Sequence, residues 1–311
     1  MTEVTIGIDI SKDRLDVHSL PDGEAVWFGN DKAGLKELVR WLGAGVHRIV
    51  FEPTGRYHLA LERHLAEAGY PLVKVNPRQA RRFGEALGTR AKTDRADAAM
   101  LARMGAALAL EPRPVRPQVL HDLDQLVMAR RALVKDRTAA KNRAKGIELA
   151  LLRRQNAARL RRIDADIHAI DAAIAELIST DEALAGQYAI LLSIPGISTV
   201  TATALLAQMP ELGTLDQRAA ASLAGLAPVT RQSGRWRGRA FIQGGRATVR
   251  EALYMPALVA ARFNPDLKAV HDRLSDAGKP AKVIITAIMR KLIVLANALL
   301  RDQRKWTKSV A

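Results

Sequence analysis

Cysteine is absent from the 311 residues, which excludes disulfides, thiolate-held zinc and cysteine nucleophiles and leaves serine for any covalent chemistry. The absence fits a reducing compartment. Aromatic residues supply only 4% of the chain, and the seven histidines are scattered without a metal-ligand spacing. Neither a P-loop nor a glycine-rich dinucleotide fingerprint occurs, so ATP and NAD are not expected. The most apolar run, Val283 to Leu300, is interrupted by Arg290-Lys291 and reads as a buried core helix rather than a membrane span. Met1-Thr-Glu-Val lacks the basic-then-apolar pattern of a signal peptide, and a soluble cytoplasmic protein is expected. Acidic residues are the scarcer charge: Lys+Arg 48 against Asp+Glu 32 gives +16, which favours phosphate-rich partners, nucleic acid first.

What is present begins with a 48% hydrophobic content, enough for a globular chain with room for more than one core. Alternating apolar residues predict strands over 4–10, 14–19, 24–29, 47–52 and 71–75, with helices over 31–43 and 56–68. Three strands in succession followed by strand–helix alternation imply a mixed sheet with helices against it. Glu111-Pro-Arg-Pro-Val-Arg-Pro117 cannot be helical and reads as a stiff linker. From Gln118 to Ile178 there is no proline and one glycine, Gly146. Here Ile163, Ile167, Ile170, Ile174 and Leu177 form the seam of a coiled coil, expected to meet a partner subunit, while Arg130, Arg131, Lys135, Arg137, Lys141, Arg143 and Lys145 crowd the earlier part. A solvated charged helix face is the plainer reading of that basic run. From Leu184 onward the pattern is helical. Ile194-Pro-Gly-Ile-Ser198 resembles a helix-hairpin-helix turn, or is an ordinary connection between helices.

Four acids stand out. Asp9 and Glu52 each end a strand-like apolar run, and Asp94 and Asp97, three apart, share one face of a helix. Each has an ordinary reading taken singly: a turn aspartate, a helix-entry glutamate, first-turn acids of a helix. Together, amid Arg78, Arg81, Arg82, Arg90, Lys92, Arg95 and Arg103, they suit a hard oxygen-seeking ion, Mg²⁺ or Mn²⁺. Two such ions about 4 Å apart clamp both oxygens of a phosphodiester displacement. A second constellation runs from Ala224 to Arg250. Between Val229 and Arg250 no acid occurs, while Arg231, Arg235, Arg237, Arg239, Arg246 and Arg250 interleave with glycines, a composition for close approach to phosphate. Ser233, before Gly234, is either a nucleophile among guanidinium groups or a plain Ser-Gly turn.

Gly7-Ile-Asp-Ile-Ser-Lys12, Glu52-Pro-Thr-Gly-Arg-Tyr57, Lys92-Thr-Asp-Arg-Ala-Asp97 and the block Gly225-Leu-Ala-Pro to Gln232-Ser-Gly234, in this order, resemble the DEDD transposases of the IS110 family of insertion sequences over nearly the whole chain. The resemblance implies an α/β, RNase H-like (RuvC-like) domain over 1–110, a helical coiled-coil arm over 118–180 and a mainly α transposase domain over 184–311. It further implies Asp9, Glu52, Asp94 and Asp97 as metal ligands, Ser233 as the nucleophile of a phosphoserine–DNA linkage, and a composite site shared between subunits of a homo-oligomer. A structured guide RNA is implied as a partner beside DNA. Arg81, Arg82, Arg90, Lys92, Arg231, Arg235, Arg237, Arg239 and Arg246 are the expected nucleic-acid contacts. A RuvC-like nuclease using metal-activated water on branched DNA, and a non-catalytic nucleic-acid-binding regulator, are the alternatives.

Overall fold

The structure, a computed structural model, describes residues 3–88, 93–230, 232–234, 236–238 and 240–308, with Trp236 and Arg237 as backbone only. Internal contacts divide the chain into two units, Met1–Arg116 and Pro117–Ala311.

The first unit runs β1 (Val4–Ile10), β2 (Arg14–Leu20), β3 (Ala25–Gly29), α1 (Lys32–Leu42), β4 (Val46–Phe51), α2 (His58–Glu67), β5 (Leu72–Lys74), α3 (Pro77–Ala86) and α4 (Asp94–Ala107). Its sheet has the order β3-β2-β1-β4-β5, the first three strands antiparallel and β1, β4 and β5 parallel, which is the mixed sheet expected. Strand alternation gives the two faces separate duties. Ile6, Ile8, Ile10, Leu15, Val17, Ile49 and Phe51 are buried on one face with Leu35 and Leu38 of α1 and Leu61 and Leu65 of α2. Each fully buried side chain of this kind contributes roughly 1.5–3 kcal/mol.

The opposite face carries Thr5, Gly7 and Asp9 on β1 and Val50 on β4, and α4 lies across it. A Cβ on Gly7 would stand 2.1 Å from the Ala98 carbonyl oxygen and 2.4 Å from the Ala102 nitrogen. On Gly105 it would stand 2.5 Å from Val50 Cγ2 and 3.1 Å from Thr5 Cγ2. Two missing side chains, one on the strand and one on the helix, therefore set how closely α4 lies on the sheet. The helix is capped by Thr93, whose hydroxyl accepts from the Ala96 N–H at 3.3 Å.

The second unit opens with α5 (Gln118–Ala144) and α6 (Ala150–Thr180), an antiparallel hairpin. Its pairing is fixed by Arg130 with Asp171, Arg137 with Asp164, and the Asn156 side-chain amide donating to the Ala140 carbonyl. Ile163, Ile167, Ile174 and Ile178 are buried, with Ile170 and Leu177 partly so. The seam is thus covered within the chain and not, as the periodicity led us to expect, by a partner subunit. The short break at 145–149, containing Gly146, lets α6 fold back on α5.

Six further helices follow: α7 (Glu182–Leu192), α8 (Thr199–Gln208), α9 (Gln217–Leu223), α10 (Ala247–Phe263), α11 (Pro265–Asp276) and α12 (Ala281–Arg301). Ile284, Ile288, Leu292, Ile293, Ala296 and Leu299 of α12 lie in the core of this unit. Among the described residues α12 alone is long and apolar enough to cross a membrane, and half of its apolar window is buried here. Between α9 and α10 the expected helical pattern gives way to short two-stranded ladders, β6 (Pro228–Val229) with β9 (Phe241–Ile242) and β7 (Gln232–Ser233) with β8 (Trp236–Arg237). The glycine- and arginine-rich stretch offers no apolar stripe from which a helix could be buried.

Candidate active site and nucleic-acid interface

Asp9 follows Gly7 by two residues and so lies on the α4 face of β1. Glu52 follows Phe51, whose register partner is Ile8, so the Glu52 backbone continues beside Asp9 on the neighbouring strand. Asp94 and Asp97 occupy the first turn of α4. The pKa of Asp9 is pushed up from 3.8 to about 6, by burial first, then by the charges of Asp97 and Asp94, with a smaller push from Asp16 and a hydrogen bond from the Ile10 backbone working the other way. The fold therefore brings Asp9, Asp94 and Asp97 into one another's field. Glu52 is half-buried, and it and Asp97 each have a partner in the chain.

Among the described residues no three acidic or histidine side chains are gathered tightly enough to hold a metal ion as they stand. Uncompensated carboxylates repel, and after burial, the larger cause, the charges of Asp97 and Asp94 add to the raised pKa of Asp9. A hard dication would offset that repulsion, and an all-oxygen donor set fits Mg²⁺ or Mn²⁺.

Sequence reading missed Asp16. It is buried and stands opposite Asp9 in the β1–β2 register, with its carboxylate accepting from Arg14 Nε at 2.9 Å and Arg14 Nη2 at 2.5 Å. The signal was available: a tight hairpin between Ile10 and Arg14 forces residue 16 opposite residue 9. The Asp16 hydrogen bond raises the pKa of Arg14, and Asp94 adds to it. On the same strand the His18 pKa is lowered by burial and by Arg103 and Arg95 of α4.

The expected basic contacts divide. Arg82 is exposed, and Arg81 is exposed in an ion pair with Glu85 at 3.0 Å. Arg246 is turned inward: it donates to both oxygens of Glu211 at 2.6 Å and to the Gln208 carbonyl at 2.9 Å, tying the start of α10 to the end of α8. Arg250 donates to the Gly244 carbonyl at 3.0 Å. Ser233 is exposed and pairs with Trp236 across a tight turn that Gly234 opens at φ +57°. Arg90, Lys92, Arg231, Arg235, Arg239 and the side chain of Arg237 lie outside the described residues. In the Ile194–Ser198 turn, Gly196 at φ +105° lies against Pro256 and Ala260 of α10, while Ser198 and Thr199 at the start of α8 are exposed.

Two family models match the chain in order. One, a transposase model of the DEDD type named for IS110, covers residues 6–153, and one for transposases of the IS116/IS110/IS902 family covers residues 188–272. The pilin gene-inverting protein of Moraxella bovis is 31% identical over 330 aligned positions, spanning 100% of this chain and 99% of its own length. The protein of that name from Moraxella lacunata aligns with the same identity and coverage. A 43.6 kDa protein of insertion element IS110 from Streptomyces coelicolor is 33% identical over 36% of this chain and 28% of its own. Matched by family models in both units and by relatives along its whole length, the chain belongs to the IS110 family of DEDD transposases and is a DNA transposase or recombinase.

Proposed function

We propose that the chain cuts and rejoins DNA through a covalent serine–DNA intermediate formed at Ser233, assisted by divalent metal at Asp9, Glu52, Asp94 and Asp97. The observation that carries this reading is the placement of Asp9, at a strand end, near Asp94 and Asp97 in the first turn of α4, where burial first and then these two charges raise the Asp9 pKa. The strand order β3-β2-β1-β4-β5, antiparallel then parallel, supports a RuvC-like, RNase H-type catalytic domain over 1–110. The arm over 118–180 and the serine-bearing domain over 184–311 complete the division into three. Mg²⁺ or Mn²⁺ held by the four carboxylates would neutralise charge on the scissile phosphate.

The chain's own residues do the rest. The Ser233 oxygen attacks phosphorus and loses its proton to water. A phosphoserine ester forms, and the DNA 3′-oxygen leaves and takes up a proton. Attack by another 3′-hydroxyl reverses these changes and releases the serine, so strand exchange needs no ATP. The whole-length likeness to proteins that invert a gene supports this conservative chemistry, since inversion rejoins what it cuts. The charge of +16 supports a nucleic-acid partner; a structured guide RNA beside DNA, a homo-oligomer and a cytoplasmic location complete this reading on the strength of the family resemblance.

The test is a denaturant-resistant protein–DNA adduct. Ser233→Ala is expected to abolish the adduct and recombination while changing DNA affinity less than about fivefold, the loss of one hydrogen bond. Asp9→Asn is expected to abolish cleavage with Ser233 intact. Cleavage by Ser233→Ala at the parental rate would assign the chemistry to water.

A further inference from the structure

The β1–β2–β3 register extends the carboxylate site sideways. Asp9 is opposite Asp16, and Asp16 is opposite Trp27, so these residues form one cross-strand row on a single face of the sheet. The row begins under α4 and runs out past it. Asp16 is 4% exposed, whereas the Trp27 ring is 62% exposed. Val26 and Phe28, the neighbours of Trp27, turn to the opposite face and pack against the core with α1 and α2. Burial therefore gives Trp27 no reason to be aromatic. Arg14 lies on the same face, two residues before Asp16. Its guanidinium carbon sits 5.0 Å from the centre of the Trp27 ring. Asp16 grips that guanidinium through Nε and Nη2, and the Arg14 side chain remains 49% exposed. A buried carboxylate thus holds a cation against an exposed indole, within the field of Asp94.

We propose that Trp27 and Arg14 form a nucleotide shelf beside the active site. Trp27 stacks on an unpaired base of the DNA strand entering the carboxylate site, and Arg14, fixed by Asp16, holds a phosphate of the same strand. An exposed aromatic face supplies sequence-tolerant stacking, and an oriented guanidinium supplies the phosphate contact. Arg14 is itself cation-paired with the ring, and a base arriving on the open side of the indole leaves that pairing in place. The inference rests on the transposase reading above and adds a binding role for two residues outside the four carboxylates.

Single-stranded DNA of mixed sequence carrying 2-aminopurine at regular intervals tests it with the full chain, because the fluorescence of this base is quenched on stacking against an indole. The wild type is expected to quench the probe. Trp27→Ala is expected to weaken binding roughly tenfold and to abolish the quenching, and Trp27→Phe to retain most of both. Arg14→Ala is expected to weaken binding and to reduce the dependence of affinity on salt, which a purely structural arginine would not do. Quenching and affinity of Trp27→Ala within twofold of the wild type would overturn the shelf while leaving the transposase reading intact. Failure of the wild type to bind or cleave any DNA would overturn both. Loss confined to an RNA version of the probe would overturn the assignment to the DNA strand. Because Trp27 is exposed, its variants should unfold at the parental temperature; a lowered melting temperature with unchanged binding would make the pair a brace for the sheet edge and sink the proposal.

Discussion

Asp9 and Arg246 show what single residues disclose and conceal. The apolar run that Asp9 terminates is local, so its place at a strand end was legible, and Asp94 and Asp97 were legible through helical spacing. Asp16 was hidden because its importance lies across the hairpin. Arg246 was hidden because its partner, Glu211, is distant in sequence; among so many arginines nothing local marks this one as tied to a carboxylate of its own chain. Arg246→Ala is therefore expected to cost about 1–2 kcal/mol of stability in urea unfolding, from a bidentate charged hydrogen bond, rather than to act on DNA affinity alone. Asp9 predicts a pH effect with a definite sign. Its folded pKa of about 6 lies above the ordinary 3.8, so the folded chain holds a proton that the unfolded chain releases. That contribution favours folding in acid, is complete below about 3.8, and is lost as pH rises through about 6. Without divalent metal, wild type and Asp9→Asn should be close in stability at low pH and diverge through this window, with the variant the more stable above it. After allowance for screening at a partly exposed group the gap is about 1 kcal/mol. A gap independent of pH would contradict the assignment.

Elements were legible where periodicity is strict. The five strands of the first unit begin and end within two residues of the alternation, because one face of each is buried and a slip would turn it to water. The seam of α6 was legible as a buried face but its partner was not, since a repeat tells which side is covered and never by whom. With α5 as that partner, Ile167→Asp with Ile174→Asp should lower the stability of the single chain by several kcal/mol, read as a shifted unfolding midpoint that does not depend on protein concentration. A midpoint that rises with concentration in the wild type and not in the variant would return the seam to a subunit interface. The seating of α4 is more exacting. Gly7→Ala puts a methyl carbon where the Ala98 carbonyl lies, so helix and sheet must separate. The outcome expected is loss of DNA cleavage, well beyond what a modest fall in melting temperature would explain.

At the scale of the molecule, charge is unevenly shared. Residues 117–311 carry 30 Lys+Arg against 17 Asp+Glu, while residues 1–116 carry 18 against 15. The second unit also has its own buried core. Expressed alone, it should bind DNA with a steeper salt dependence than the first unit expressed alone. Equal slopes for the two would contradict the division. The total charge was legible from composition alone, but its assignment to one unit needed the boundary between the units. The two glycines beneath and within α4 bear on copies of this gene that have decayed. A copy can keep Asp9, Glu52, Asp94 and Asp97 and still be inert, if drift has placed any side chain at position 7 or 105. An inventory of acids would count such a copy as live; two hydrogen atoms, where every other amino acid has carbon, are the better certificate.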